Sequence, residues 1–226
     1  MKEKVLRNWH YLLILYFPVY LAAFQYIETH SSDKIHIIEC ALDHKIPFIE
    51  YFVIPYFLWF AYIGIGGFYF LFREKESFIK MMYIGMIGMT TFIVVSMLYP
   101  NGLDLRPTHF ARENVFVDLT RYLYSIDTST NVFPSIHVYN SIGMHAVISH
   151  SPRLKEHKGI QSLSFVLCVS IVLATMFLKQ HSVFDVVCAM GLFLIAYEVV
   201  YGKLFVRLFS IWEELGYHRR EKLKQH

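Results

Sequence analysis

Cysteine is scarce in this chain: three residues in 226, Cys40, Cys168 and Cys188. The number is odd and no two stand close together, which argues against a disulfide framework and against a cysteine-based zinc site. Cys168 and Cys188 fall inside apolar segments and read as small buried hydrophobes. Charge is sparse as well, at 17% of residues against 55% hydrophobic, a balance too apolar for a soluble domain. The basic residues sit mainly in short loops and tails and form no stripe, so no nucleic acid is expected as a partner. No internal repeat and no low-complexity segment is visible. An Asp and a His four apart, Asp185 and His181, could start a metal site, but no third or fourth ligand lies at a telling spacing. No metal or other cofactor is therefore expected.

Long apolar runs take the place of what is missing, and they mark a membrane protein. Six candidate spans can be drawn: roughly Trp9–Ile27, Glu50–Phe72, Ile79–Tyr99, Ser135–Ser149, Ile160–Leu178 and Val183–Phe205. The fourth is the shortest and most polar, which suits a helix buried among the others. The first follows Lys2, Lys4 and Arg7 as a signal peptide would. Its apolar run is longer than a usual signal core, and Ala22-Ala23 leads into more apolar sequence, so an uncleaved span is expected. Of the 21 Lys and Arg, fifteen lie in the two termini and in the connections after spans two and four. The positive-inside rule makes that side cytoplasmic, with both termini inside. The expectation is a single all-α integral membrane domain over residues 1–226, multi-pass, in the cell membrane. Arg106, His137 and His181 then converge on the outer face.

Two outer segments stand out. Residues 31–47 read as an interfacial stretch. The connection from Pro100 to Pro134 is long for a link between spans, and such loops tend to be functional. Within it Val115, Phe116, Leu119, Tyr122, Leu123 and Ile126 recur at helical spacing, with Arg112, Glu113, Asp118 and Arg121 between them, which predicts an amphipathic helix. It would lie either on the bilayer surface or as a packed cap over the spans.

His181 and Asp185 sit where the fifth span ends and the sixth begins. Four residues apart, they would share one helical face. A carboxylate there can hold Nδ1–H and leave Nε2 free as a nucleophile or base. Ionisable residues at a membrane boundary are expensive and tend to be functional. The pair gains weight beside Arg106-Pro107 and Pro134-Ser135-Ile136-His137. In order and separation, these three elements resemble the signature of the type 2 phosphatidic acid phosphatase and vanadium haloperoxidase superfamily. The likeness covers roughly the C-terminal 60% of the chain, with a phosphoryl-transfer core at about 98–205. The spans exclude the soluble haloperoxidase branch. Four positions depart from the pattern: Tyr99 for a Lys, Ile136 for a Gly, and Ala174-Thr175 for Ser-Arg. The run His181-Ser182-Val183-Phe184-Asp185-Val186-Val187 is also similar to the motif of the sphingomyelin synthase branch, which moves a phospho-headgroup between lipids.

The resemblance implies a membrane lipid phosphate phosphatase working through a phosphohistidine, without metal. His181 would attack phosphorus, Asp185 would fix its tautomer, and His137 would serve as acid and base. Arg106 would clamp phosphate oxygens. Lys179 could replace the missing Arg, or simply snorkel to the interface. Ser135 could meet the phosphate at a helix N-terminus or serve only as its cap. A lipid phosphate substrate and membrane lipids are the expected partners. The alternatives are a headgroup transferase of the sphingomyelin or inositol-phosphorylceramide synthase type, and a non-catalytic lipid-binding or transport protein. His137, Asn140, Ser141 and His145 share one helical face, which implies a polar track or interhelical hydrogen bonds.

Overall fold

A chain in hydrocarbon must satisfy every backbone N–H and C=O internally, so runs of about twenty apolar residues close into helices. The computed structural model describes residues 9–30 and 34–202 and is all-helical but for one two-residue strand pair. A 3-10 segment, Trp9–Leu15, leads into α1 (Tyr16–Thr29). A shorter 3-10 turn, Glu50–Phe52, leads into α2 (Val53–Arg73), followed by α3 (Lys75–Leu98), α4 (Val115–Ile126), α5 (Ile136–His150), α6 (Lys158–Phe177) and α7 (Val183–Tyr201). Five helical stretches are long and apolar enough to cross a bilayer: Trp9–Thr29, Glu50–Arg73, Lys75–Leu98, Lys158–Phe177 and Val183–Tyr201.

The outer surface is coated with large apolar side chains, among them Ile65, Phe68 and Leu98, while the interior is closely packed. This coat is compatible with an integral membrane protein. α5 forms the axis: it packs on α2, α3, α6 and α7. At 15 residues it is about 22 Å long, and it is not one of the five apolar stretches. Gly88 lets α3 approach it closely, because a Cβ there would fall 2.1 Å from the Tyr139 ring. The Tyr139 hydroxyl then donates to the Ile84 carbonyl at 2.8 Å. Of the expected polar track, Ser141 donates to the His137 carbonyl and His145 meets Ser164 across to α6. The Ser141 bond stays within α5, and the His145 contact ties α5 to α6.

The connections sort cleanly between the two ends of the bundle. At one end, β1 (His36–Ile37) pairs in parallel with β2 (Asn101–Gly102), and Gly102 bridges Thr130. Ile49 N–H donates to the Phe177 carbonyl there too. At the other end, Ser151 Oγ donates to Glu74 and His150 contacts Tyr197. The described Lys and Arg divide six and six between these ends. The nine basic residues counted in the termini, Lys2 to Arg7 and Lys203 to Lys224, lie outside the described residues, as does the expected end of the last span at Phe205.

α4 has three faces. Val117, Thr120 and Leu123 are buried against the bundle. Val115, Leu119, Tyr122 and Ile126 form a separate, exposed apolar stripe. Arg121, ion-paired with Asp118 and with Glu113 just ahead of the helix, marks a third. The sequence reading merged the first two faces into one.

Candidate active site

The turn that carries His181 is built by helix-ending chemistry. α6 stops at Phe177, and Lys179 takes the left-handed conformation, with φ of 54°. The Thr175 carbonyl then accepts from both Gln180 N–H and His181 N–H, at 2.9 and 3.0 Å. Ser182 caps α7, with its Oγ accepting from Phe184 N–H and Asp185 Oδ2 accepting from Ser182 N–H, a capping box. His181 therefore stands just before the helix and not on it, so the expected shared helical face does not form. The two side chains still meet: His181 Nδ1 lies 3.4 Å from Asp185 Oδ2. The approach is at ion-pair distance without hydrogen-bond alignment, and both His181 Nδ1 and Asp185 Oδ1 are buried without a hydrogen-bond partner among the described residues.

A strap from residues 40–46 grips this turn. Asp43 Oδ2 accepts from Ser182 Oγ at 2.6 Å, and Oδ1 from Val183 N–H at 2.7 Å. Lys179 Nζ donates to the carbonyls of Asp43 and Ile46 at 2.6 and 2.5 Å. Burial alone would raise the Asp43 pKa; the hydrogen bonds from Ser182, Val183 and Cys40 outweigh it and hold the carboxyl below its usual range. Burial lowers the Lys179 pKa, with Asp43 opposing. Lys179 thus spends its donors on backbone, and the phosphate role expected for it has no support in this geometry.

His137 sits in the first turn of α5. Ser135 is the N-cap, its buried Oγ accepting from Val138 N–H at 3.4 Å. Ahead of it, the buried Asn101 side chain accepts from Val132 and Phe133 N–H, at 2.9 and 3.0 Å, and so holds the entry to the helix. The His137 ring rests on Tyr56 and Trp59, with centroids 4.5 and 4.4 Å away. His137 Nε2 is buried and has no hydrogen-bond partner among the described residues. The His137 and His181 rings are 5.8 Å apart.

Arg106 lies over the Tyr124 ring, with Cζ 4.4 Å from its centroid. It donates to the carbonyls of Tyr124 and Asp127, at 3.3 and 2.6 Å, and to Gln180 Oε1. Its Nε is buried without a hydrogen-bond partner among the described residues. Burial lowers its pKa, while Asp127 and Tyr124 pull it back up; an arginine stays charged regardless. Asp127 Oδ2 accepts from Tyr56 OH at 2.5 Å and from Gln180 Nε2 at 3.5 Å.

These groups close one end of a cavity of about 280 Å³. Asp127, Asn131, Gln180, His137 and His181 line its polar end, and Tyr20, Phe24, Phe60 and Phe92 its apolar remainder. α1 rests on α3, and its packing on α2 is slight, so the apolar part runs between α1 and α2.

The structure thus gathers His137, His181 and Asp185 and sets Arg106 behind Gln180 and Asp127. Ser135 stays a cap. Sequence reasoning missed Asp127, Tyr56, Gln180, Asp43 and Asn101. Gln180 was detectable as the neighbour of His181, and Asn101 as part of a Pro-Asn-Gly turn. Tyr56 reads as one more aromatic in an apolar span. Where the family pattern has cations, Tyr99 stacks on His36 with centroids 4.1 Å apart, and Thr175 is buried with its Oγ1 donating to Val172. Among the described residues no three of His, Cys, Asp and Glu gather as a metal site. No protein-family model, curated protein or solved structure matches the chain.

Proposed function

We propose that this chain is a membrane lipid phosphatase of the type 2 phosphatidic acid phosphatase kind, with α5 as a sixth, shorter crossing element. The observation that carries the reading is a set of buried polar atoms without partners. His137 and His181 line the polar end of a cavity whose remainder is aromatic and apolar, Arg106 lies behind Gln180 and Asp127, and His137 Nε2 and Arg106 Nε have no hydrogen-bond partner among the described residues. Each such atom costs about 1–3 kcal/mol when left unsatisfied, and a phosphate monoester on an apolar tail would accept from Arg106 Nε and donate its acidic hydrogen to His137 Nε2. The site end would face outward and both termini inward. α4 would lie along the outer leaflet, with its exposed apolar stripe in lipid and Arg121 toward water.

In the reaction, His181 attacks phosphorus and the ester P–O bond breaks while the P–N bond forms. His137 delivers a proton to the leaving alkoxide. Water then attacks the phosphohistidine, His137 takes the water's proton, and the P–N bond breaks to release phosphate. Asp185 holds His181 Nδ1–H. Arg106 supplies the positive charge, with Gln180 yielding its place on the guanidinium to a phosphate oxygen. Lys179 and Ser135 hold the turn and the helix start.

One observation favours a headgroup transferase instead. Beside the two imidazoles, the polar lining consists of Gln180, Asn131, Thr128, Thr130 and the carboxyl group of Asp127, with no lysine or arginine among the described lining residues, which suits a phosphodiester better than a doubly charged monoester. Purified protein in lipid nanodiscs decides between the two. Labelled phosphatidic acid or a polyprenyl diphosphate should yield inorganic phosphate, and His181→Ala should abolish the release. A new phospholipid, formed only when ceramide or diacylglycerol is added with a phospholipid donor, would establish transfer. Full lipid-dependent function in His181→Ala would leave only a non-catalytic lipid-binding role.

A further inference from the structure

A chain of contacts connects the guanidinium of Arg106 to the imidazole of His137, and two of its members, Asp127 and Tyr56, have no part in the reaction as written. Arg106 donates to Gln180 Oε1, Gln180 Nε2 to Asp127 Oδ2, and Tyr56 OH to the same carboxylate oxygen. The Tyr56 oxygen then lies 3.4 Å from His137 Nδ1. Asp127 cannot easily turn away: its N–H donates to the Leu123 carbonyl at 2.9 Å and its own carbonyl accepts from Arg106 at 2.6 Å. Tyr56 is fully buried in α2.

Proton counting fixes the direction of this chain. A phenol carries one hydrogen. The contact to Asp127 is 2.5 Å, the short length of a bond to a carboxylate, and such bonds are roughly twice as strong as neutral ones. The hydrogen therefore belongs to the Asp127 side, and Tyr56 offers only a lone pair to His137. Nδ1 of His137 must then be the donor, which leaves Nε2 as the bare nitrogen. That is the atom found buried without a partner.

We propose that Asp127 and Tyr56 are positioning residues that lock His137 in its Nδ1–H tautomer, so that Nε2 alone exchanges protons with the substrate. No proton leaves Tyr56 or Asp127. Nε2 takes the proton of a phosphate monoester monoanion and gives it to the departing alkoxide as the P–O bond breaks. In the second half it takes a proton from water as the new O–P bond forms. Asp127 balances the imidazolium in between, across one hydroxyl. The proton traffic rests on the phosphatase reading; the tautomer does not.

The test is nitrogen NMR of the full chain in nanodiscs with ¹⁵N-labelled histidine, at a pH where the imidazole is neutral. His137→Gln assigns the His137 signals by their loss. The parent should show a pyrrole-type Nδ1 and a pyridine-type Nε2, and Tyr56→Phe, which keeps the ring beneath His137, should populate the opposite tautomer. Asp127→Asn should do the same more weakly. A parent with Nε2–H overturns the proposal, and so does a Tyr56→Phe protein with unchanged ring signals. A merely structural role for Tyr56 would not move those signals. Should Tyr56→Phe fail to fold, the parent's tautomer and the Asp127→Asn spectrum decide. Kinetically, Tyr56→Phe should lower kcat about a hundredfold, the lower range for loss of an acid–base function, with KM little changed. If lipid phosphates prove not to be substrates, the function falls and the spectra still judge the tautomer.

Discussion

One oxygen of Asp185 has two claims on it. Oδ2 accepts the Ser182 N–H at 2.9 Å and faces His181 Nδ1 at 3.4 Å. The carboxylate is therefore both half of a helix cap and the orienting group for an imidazole, and two substitutions separate the roles. Asp185→Asn retains an oxygen for the Ser182 N–H, so melting should shift little, by less than the ~1 kcal/mol that a lost cap represents. That same oxygen then still faces Nδ1, but as a neutral amide carbonyl it no longer stabilises the imidazolium, and turnover should fall by orders of magnitude. Asp185→Ala should lose both activity and the cap. Thermal melts and rates of phosphate release check the pair; equal rates in Asp185→Asn and the parent would remove the orienting role. Arg106 argues at the same scale. Its fork meets two carbonyls and an amide, a pattern that a point-charge ammonium cannot reproduce. Arg106→Lys should therefore lower kcat/KM, by more than tenfold if one to two of these charge-assisted bonds are lost at about 1.5 kcal/mol or more each.

Among the elements, the strap at residues 40–46 has more influence on the site than its length suggests. It ties the start of α7 through Asp43 and the end of α6 through Lys179. Lys179 also bears the left-handed backbone that turns the chain toward His181, a conformation costing about 1–2 kcal/mol for a residue with a Cβ. Asp43→Asn should loosen this turn, lower the melting temperature and reduce turnover together. The pH dependence has a definite sign. The folded pKa of Asp43 is depressed below its ordinary 3.8, so its contribution is fully present above that value and is lost as pH falls through the lower, folded pKa. Acid melts should show the parent losing this increment below about pH 4, and Asp43→Asn lacking it throughout. A mutant melting curve parallel to the parent's at every pH would refute the strap's electrostatic part. This region also marks where sequence reading stops. Helices were legible because lipid demands long apolar runs, and His137, His181 and Asp185 because neighbouring residues announce them. The partners of Lys179 were not, because they lie more than 130 positions away and nothing local distinguishes a cation that meets phosphate from one that meets carbonyls. Asp127 and Tyr56 escaped notice for the same reason: their meaning lies in contacts 71 and 81 residues distant.

For the whole molecule, the direction in which the bundle points is set by where its basic residues lie. The positive-inside rule counts Lys and Arg near span ends, and the described residues carry six at each end of the bundle. The bias comes from the nine basic residues of the two termini, so the proposed topology depends on both termini lying opposite the site. A first span that was cleaved, or that failed to insert, would break that count. Labelling tests it directly. With Cys40, Cys168 and Cys188 replaced by alanine, a single cysteine is placed either at Asp104, exposed at the site end, or at Lys155, exposed at the other. A membrane-impermeant maleimide applied to intact cells should label Asp104→Cys and leave Lys155→Cys untouched until the cells are permeabilised. The reverse pattern would put His137 and His181 in the cytoplasm and restrict the substrate to lipids of the inner leaflet. Labelling of both sites in intact cells would mean a mixed orientation, which an even split of charge at the described ends would produce if the termini carried no weight.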